Sequence, residues 1–238
     1  MTKQIVELAN NFFLVIINEN SQDFAGLNIN TLTWSKLKDS NEKLILKIDF
    51  AKINHKHYKS LLRKLFRIKK RATRSNIFFG IEGNTTTLLG YIINHDPNNQ
   101  KQIDFIHGIN AIFHNNLYDM YNYIYDITCD YLDFQFASNN WCNFQNNICA
   151  AGRKMGCCRK LRLCKHLKNN SCSTRCISCK LFTCPYLWKQ GVQLKLEDIL
   201  LLNTFFSKRQ KNVLTLSVFN TKEILMRRLL LFAWNRKI

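Results

Sequence analysis

The sequence is poor in proline and glycine: its 238 residues include 2 prolines and 8 glycines. This scarcity excludes a collagen-like repeat and long proline-rich or glycine-rich linkers. Hydrophobic residues make up 46% of the chain and aromatic residues 12%, which is enough apolar material to bury a core. A wholly disordered chain is therefore excluded as well.

Long hydrophobic runs are also missing, since no stretch approaches the roughly 18 uninterrupted apolar residues that cross a bilayer. The short run Phe12–Ile17 has neither a basic cluster before it nor a small-residue cleavage site after it, so it does not indicate a signal peptide. We therefore expect a cytoplasmic protein with no membrane partner. In that compartment thiols stay reduced, and clustered cysteines more often bind metal than form disulfides.

Acidic residues are few: 16 Asp and Glu stand against 35 Lys and Arg, for a net charge of +19. Two stretches, residues 51–75 and 141–190, contain no acid at all and carry 10 Lys and Arg each. An excess concentrated in this way favours a polyanionic partner. We expect that partner to be nucleic acid, RNA or DNA, alone or within a ribonucleoprotein complex, with an acidic protein as the alternative.

The first basic stretch predicts an amphipathic helix from His57 to Arg74. Its apolar residues recur at helical spacing, and its cations lie elsewhere on the helix. Without intervening acids a merely solvated charged face would repel itself, whereas phosphates would neutralise it and release counterions. The predicted phosphate contacts are Arg63, Lys64, Arg67, Lys70, Arg71 and Arg74.

Nine of the ten cysteines fall between Cys142 and Cys184, and four thiolates at short spacing can surround one tetrahedral Zn²⁺. We expect two zinc sites, because metal ligation would supply a folding free energy, on the order of 10 kcal/mol, that this aliphatic-poor stretch lacks. An iron–sulfur cluster is the alternative, which spacing alone does not exclude. The compact set is Cys172, Cys176, Cys179 and Cys184, and the second is Cys149, Cys157, Cys158 and Cys164, with Cys142 or His166 as substitutes. Cys129, in a helical pattern, is expected to be an ordinary core residue.

A metal-stapled loop would present a second group of cations to phosphates: Arg153, Lys154, Arg159, Lys160 and Arg162. Five aromatic residues of the same region are able to stack on bases if exposed, although packing over the metal core is favoured for each of them. These aromatics are Trp141, Phe144, Phe182, Tyr186 and Trp188.

The pattern Gly156-Cys157-Cys158-Arg159, Cys164-Lys165-His166-Leu167, Cys172-Ser173 and Cys179-Lys180-Leu181-Phe182, with Pro185, resembles the family of zinc- or iron-chelating cysteine-cluster proteins. The resemblance covers residues 156–185. It implies metal binding and no reaction. The residues to which it assigns this role are Cys157, Cys158, Cys164, Cys172 and Cys179.

Motifs of the common enzyme classes are absent: there is no Walker loop, G-x-S-x-G, Rossmann glycine pattern or H-E-x-x-H. The chain is therefore expected to be non-enzymatic. The residues His95, Asp96, Asp104 and His107 leave one alternative open, a metal-dependent nuclease.

The predicted fold is α+β, in three parts. Residues 1–138 are expected to form a small sheet with flanking helices, including the basic helix at about 55–74. Residues 139–190 would form the cysteine-rich metal module, and residues 191–238 a helical C-terminal segment. Helices are predicted over 3–18, about 103–133, 196–210 and 222–233, the last capped by Asn220. Strands are predicted over 44–50, 77–81 and 88–93, with a hairpin joining the last two. The functional prediction is a zinc-stapled nucleic-acid-binding protein, with iron–sulfur redox chemistry or sensing as the alternative.

Overall fold

The computed structural model describes residues 3–8, 12–17, 27–28, 44–74, 88–93, 95–114, 116–143, 167–168, 171–172, 175–217 and 220–234. The chain divides into two compact units, residues 1–120 and 121–238. Within the ranges given above, no helix combines the length and the apolar character that crossing a membrane requires. The boundaries predicted at 138/139 and 190/191 stay predictions.

The first unit contains extended segments whose backbones pair in the order β1-β2-β5-β4-β3. The β1–β2 pair is antiparallel and the others are parallel. The segments are β1 Lys3–Leu8, β2 Phe12–Ile17, β3 Leu27–Asn28, β4 Leu44–Asp49 and β5 Leu88–Ile93. The helix predicted over 3–18 is therefore wrong, because the continuous apolar run of β2, rich in β-branched residues, favours extended backbone. The strand predicted over 77–81 and its hairpin lie outside the described residues.

Helix α1, Tyr58–Arg74, confirms the helix predicted for the basic stretch. It follows a short 3-10 helix, His55–His57, where the Asn54 side chain accepts a hydrogen bond from the backbone N–H of Lys56. Helix α2 covers Gln100–Phe113, and the Asn99 side chain caps it by accepting from the backbone N–H groups of residues 101 and 102.

The helices α1 and α2 pack on each other through a small aromatic and aliphatic core. Tyr58 and Leu62 of α1 and Phe105 of α2 are buried, and the rings of Tyr58 and Phe105 have centroids 4.7 Å apart. Phe50 stands edge-on to both rings, with centroids 5.9 Å from each. One face of α1 is therefore fixed against α2.

The predicted long helix over 103–133 is in fact two helices, α2 and α3 (Leu117–Asn139). The break lies at Asn116, whose side-chain oxygen accepts from the backbone N–H of Asp119 at 2.8 Å and whose amide donates to the Asp119 carboxylate. An asparagine that caps a helix start in this way competes with continuation of the preceding helix.

The second unit contains most of α3, the two-residue pair β6 and β7, and short helices up to the longer α8. Their bounds are β6 Leu167–Lys168, β7 Ser171–Cys172, α4 Ile177–Lys180, α5 Pro185–Lys189, α6 Leu200–Phe205, α7 Lys208–Leu216 and α8 Lys222–Trp234. The predicted helix over 196–210 is divided, because Ser207 and Gln210 form a reciprocal capping box that starts α7. The helix predicted over 222–233 is confirmed by α8. Its capping side chain belongs to Thr221, one residue after the predicted Asn220.

The predicted α+β class is wrong for the packed core that the structure describes, which is helical. Among the hydrophobic side chains shown to be buried, Ile48 is the single one on a strand, and the others lie on helices or the segments that join them. An α+β fold requires a sheet face packed as a layer against helices. In the part of the chain that the structure describes, the buried side chains pack helices against one another, and they form no such sheet layer.

Candidate nucleic-acid interface and the cysteine segment

The side of α1 opposite its buried residues carries positive charge. Arg63, Lys64 and Arg67 are exposed, and Lys59 is half-buried beside them. Burial lowers the pKa of Lys59, and the positive charge of Arg63 lowers it further. Lys59 and Arg63 are thus close enough to repel each other.

The positive surface extends past the start of the helix, where Lys52 and Lys56 are also exposed. The stretch from residue 51 to residue 75 contains no carboxylate. We call Lys56, Lys59, Arg63, Lys64 and Arg67 the cationic face. Lys56 and Lys59 were missing from the predicted contacts. Lys59 lies four residues before Arg63 and therefore on the same side of α1, and Lys56 lies in the short 3-10 helix just before α1.

The other predicted phosphate contacts are described less fully. Lys70, Arg71 and Arg74 belong to α1, but their side chains lie outside the described part of the structure. The predicted contacts from the cysteine segment, Arg153, Lys154, Arg159, Lys160 and Arg162, fall outside the described residues altogether.

The same limit applies to half of the predicted metal ligands, since Cys149, Cys157, Cys158 and Cys164 are not among the described residues. Cys172 ends strand β7. Within the ranges that the structure describes, no three His, Cys, Asp or Glu side chains come close enough together to hold a metal ion.

The cysteines of the compact set that are described take different surroundings. Cys176, which precedes α4, is buried, and its thiol donates to the backbone oxygen of Ser217 at 3.6 Å. Cys184, which precedes α5, is buried in an apolar cluster with Leu187, against which Trp141 and Cys142 pack. Cys142, which we expected only as a substitute in the other set, therefore packs against the cluster that contains Cys184.

Tyr125 of α3 fixes the start of α4 and was not predicted to do so. Its hydroxyl donates to the backbone oxygen of Arg175 at 2.5 Å and accepts from the N–H of Ile177 at 3.3 Å. Burial raises the pKa of Tyr125, so the hydroxyl keeps the proton that it donates. The segment around Cys176 is thus held to α3 by hydrogen bonds on both sides of the cysteine.

An acidic stripe on α3 neutralises part of the second basic stretch. Arg175 pairs with Asp130 at 2.9 Å and with Asp126 at 3.3 Å, and hydrogen bonding to Asp130 raises the pKa of Arg175. The Lys180 ammonium group pairs with Asp133, and Lys222 pairs with Asp126 at 2.8 Å. The stripe could have been found in the sequence, because residues 126, 130 and 133 share one side of a helix. These paired cations contribute little charge to a phosphate-binding surface.

The four residues of the nuclease alternative have separate environments. His95 packs on Phe50, and burial lowers the pKa of His95, an effect that Asp96 partly opposes. Asp96 accepts from the backbone N–H of Asn98 in a local turn. On α2, burial raises the pKa of Asp104 and lowers that of His107. In the described residues these groups do not assemble into a metal site.

Comparisons with models of known protein families, with curated proteins and with solved structures give no match. The resemblance to the cysteine-cluster family therefore stays a prediction. Any functional assignment has to rest on the chemistry of this chain's own residues, foremost the cationic face.

Proposed function

We propose that the chain is a basic, non-enzymatic nucleic-acid-binding protein that contacts phosphates through the cationic face of α1, with its cysteine segment stapled by zinc. The observation that carries the proposal is the division of α1 into two sides. Tyr58, Leu62 and Leu65 are buried, while Arg63, Lys64 and Arg67 are exposed.

The mechanism of binding follows from charge density on a fixed support. Because the buried side of α1 is fixed against α2, the cations cannot move apart by reorienting the helix. Their mutual repulsion is relieved when phosphates replace water and counterions, and the released counterions make the affinity depend steeply on salt. A surface of this kind reads the nucleic-acid backbone and not the sequence of bases, so RNA and DNA are both ligands in this proposal.

We include zinc in the proposal because the cysteines are spaced closely enough for their thiolates to bind it. The thiolates would fold the segment by ligation, and cations near them would offset their negative charge. This part of the proposal rests on the nine cysteines between Cys142 and Cys184.

The test is fluorescence anisotropy of a labelled oligonucleotide over a series of salt concentrations. We expect the Lys64→Glu/Arg67→Glu variant to bind at least about tenfold more weakly, with a salt dependence reduced by about two phosphate contacts. The control variant, Lys208→Glu/Arg209→Glu, makes the same change in net charge at exposed positions of α7. Equal losses in both variants would show that net charge, and not the cationic face, determines binding. A wild-type affinity that does not fall with salt would contradict phosphate binding itself.

A further inference from the structure

The aromatic residues of the cysteine segment divide into partly buried and exposed groups. Trp141 and Tyr186 pack against the apolar cluster of Cys184 and Leu187. Phe182 and Trp188 are open to solvent, with 43% and 55% of their surface exposed. Phe144 lies outside the described residues. The expectation that these aromatics pack over a metal core stays a prediction, but Phe182 and Trp188 are exposed in the structure.

Trp188 is exposed but held in one orientation. Its indole N–H donates to the hydroxyl oxygen of Thr183 at 2.6 Å, and Thr183 is itself buried. The preceding residue, Leu187, anchors α5 in the apolar cluster. Adjacent helix positions are about 100° apart, so burial of Leu187 turns Trp188 away from the cluster. The ring therefore presents a flat surface whose orientation does not have to be fixed again on binding.

The sequence on either side of Trp188 favours an anionic ligand. Residues 141–190 carry 10 Lys and Arg and no carboxylate. Arg175 and Lys180 are paired with the acidic stripe of α3, but Lys189, next to Trp188, is exposed. An indole face in a cationic setting is the combination that binds single strands, because every base has a face on which to stack and every nucleotide carries a phosphate.

We infer that Trp188 is a stacking platform for an unpaired base, and that the ligand is therefore single-stranded nucleic acid. The bases of a duplex stack on one another and are closed to an indole from outside. The inference rests on the proposed function and adds a ligand class to it. Lys189, which follows Trp188 in the sequence and is exposed, would contact a phosphate of the strand, and stacking on Trp188 would distinguish unpaired bases.

The experiment compares two fluorescein-labelled strands of about 15 nucleotides, an oligothymidylate and an abasic oligomer of the same length and charge, by anisotropy with the full chain. We expect the wild type to prefer the strand that has bases. Trp188→Ala should bind oligothymidylate roughly 5- to 150-fold more weakly and leave binding of the abasic strand unchanged. Trp188→Phe keeps a smaller ring and should retain part of the preference.

The matched control is Phe134→Ala, which removes an equally accessible aromatic ring, 62% exposed, from α3 next to the acidic stripe. This variant should bind both strands as the wild type does. Equal loss of both strands in Trp188→Ala, or no loss, would overturn the stacking assignment. Wild-type binding of both strands with equal affinity would refute this inference alone. A wild type that binds neither strand would refute the proposed function as well.

Discussion

Gly108 of α2 lies so close to Leu62 of α1 that a Cβ atom on the glycine would stand 2.5 Å from a methyl carbon of the leucine. Leu62 is fully buried, so its side chain would have to shift within the core to admit that atom. The absence of a side chain at residue 108 is thus what lets the two helices approach, and this approach supports the cationic face from behind.

We expect Gly108→Val to destabilise the protein by about 2 kcal/mol or more, since overpacking a filled core forces side chains and backbone to shift. Urea unfolding followed by circular dichroism measures the loss. Ala137→Val, at an exposed position of α3, introduces the same side chain without a clash and should cost less than about 1 kcal/mol. Similar costs at the two positions would mean that the contact between α1 and α2 is looser than the structure shows.

The ion pairs of the acidic stripe differ in burial, and their contributions to stability should differ accordingly. The Lys180 side chain is almost wholly buried, whereas Arg175 and Asp130 are largely exposed. Asp133→Asn would remove the carboxylate that pairs with a buried ammonium group and should cost about 3 kcal/mol. Asp130→Asn should cost less than about 1 kcal/mol, because water screens that pair and Arg175 keeps Asp126. A free energy of unfolding that falls equally in both variants would contradict this reading of the stripe.

Cys129 gives the protein a predictable response to alkaline pH. It is fully buried on α3, and burial raises the pKa of its thiol to about 12, with smaller opposing effects from nearby Lys180 and Arg175. The unfolded thiol ionises near its ordinary value of about 8.5, so the stabilisation is complete below that pH and is lost as pH rises towards 12. Between pH 7.5 and pH 10 we expect the wild type to lose about 1 to 2 kcal/mol more unfolding free energy than Cys129→Ala. An equal loss of unfolding free energy in the wild type and in Cys129→Ala would mean that a group other than Cys129 ionises over this range.

A segment was predicted correctly where its apolar residues repeat at one clear spacing. The stripe Tyr58, Leu62 and Leu65 repeats at helical spacing, and α1 follows it. The breaks at Asn116 and Ser207 are local, because each side chain caps the helix that follows, yet the apolar periodicity on both sides hid them. Residues 3–18 were mistaken for a helix because short apolar runs fit either period.

The candidate site was predicted unevenly for a related reason. Charge runs are visible in the sequence, so it indicates Arg63, Lys64 and Arg67 as candidates, and the structure describes all three as exposed. Whether a cation is already neutralised depends on contacts over some 45 residues of sequence, as for Arg175 and Asp130, and no local pattern reports that. The exposure of Trp188 likewise follows from the burial of Leu187 and the hydrogen bond to Thr183, which only the folded chain shows.

Metal content is the last prediction, and the surroundings of Cys176 sharpen it. Its thiol donates to the Ser217 oxygen, and a thiolate has no proton to donate, so ligation by Cys176 has to break this contact. Protein purified without air should contain zinc by elemental analysis, and Cys176→Ser should hold less of it and lose order in the cysteine segment. Cys129→Ser, a change of the same kind outside the segment, should keep its zinc. Iron in place of zinc, together with a brown colour of the purified protein, would favour the iron–sulfur alternative. Metal-free protein that keeps its circular dichroism spectrum in a strong chelator would show that hydrogen bonds such as those of Tyr125, and not a metal, hold the segment in place.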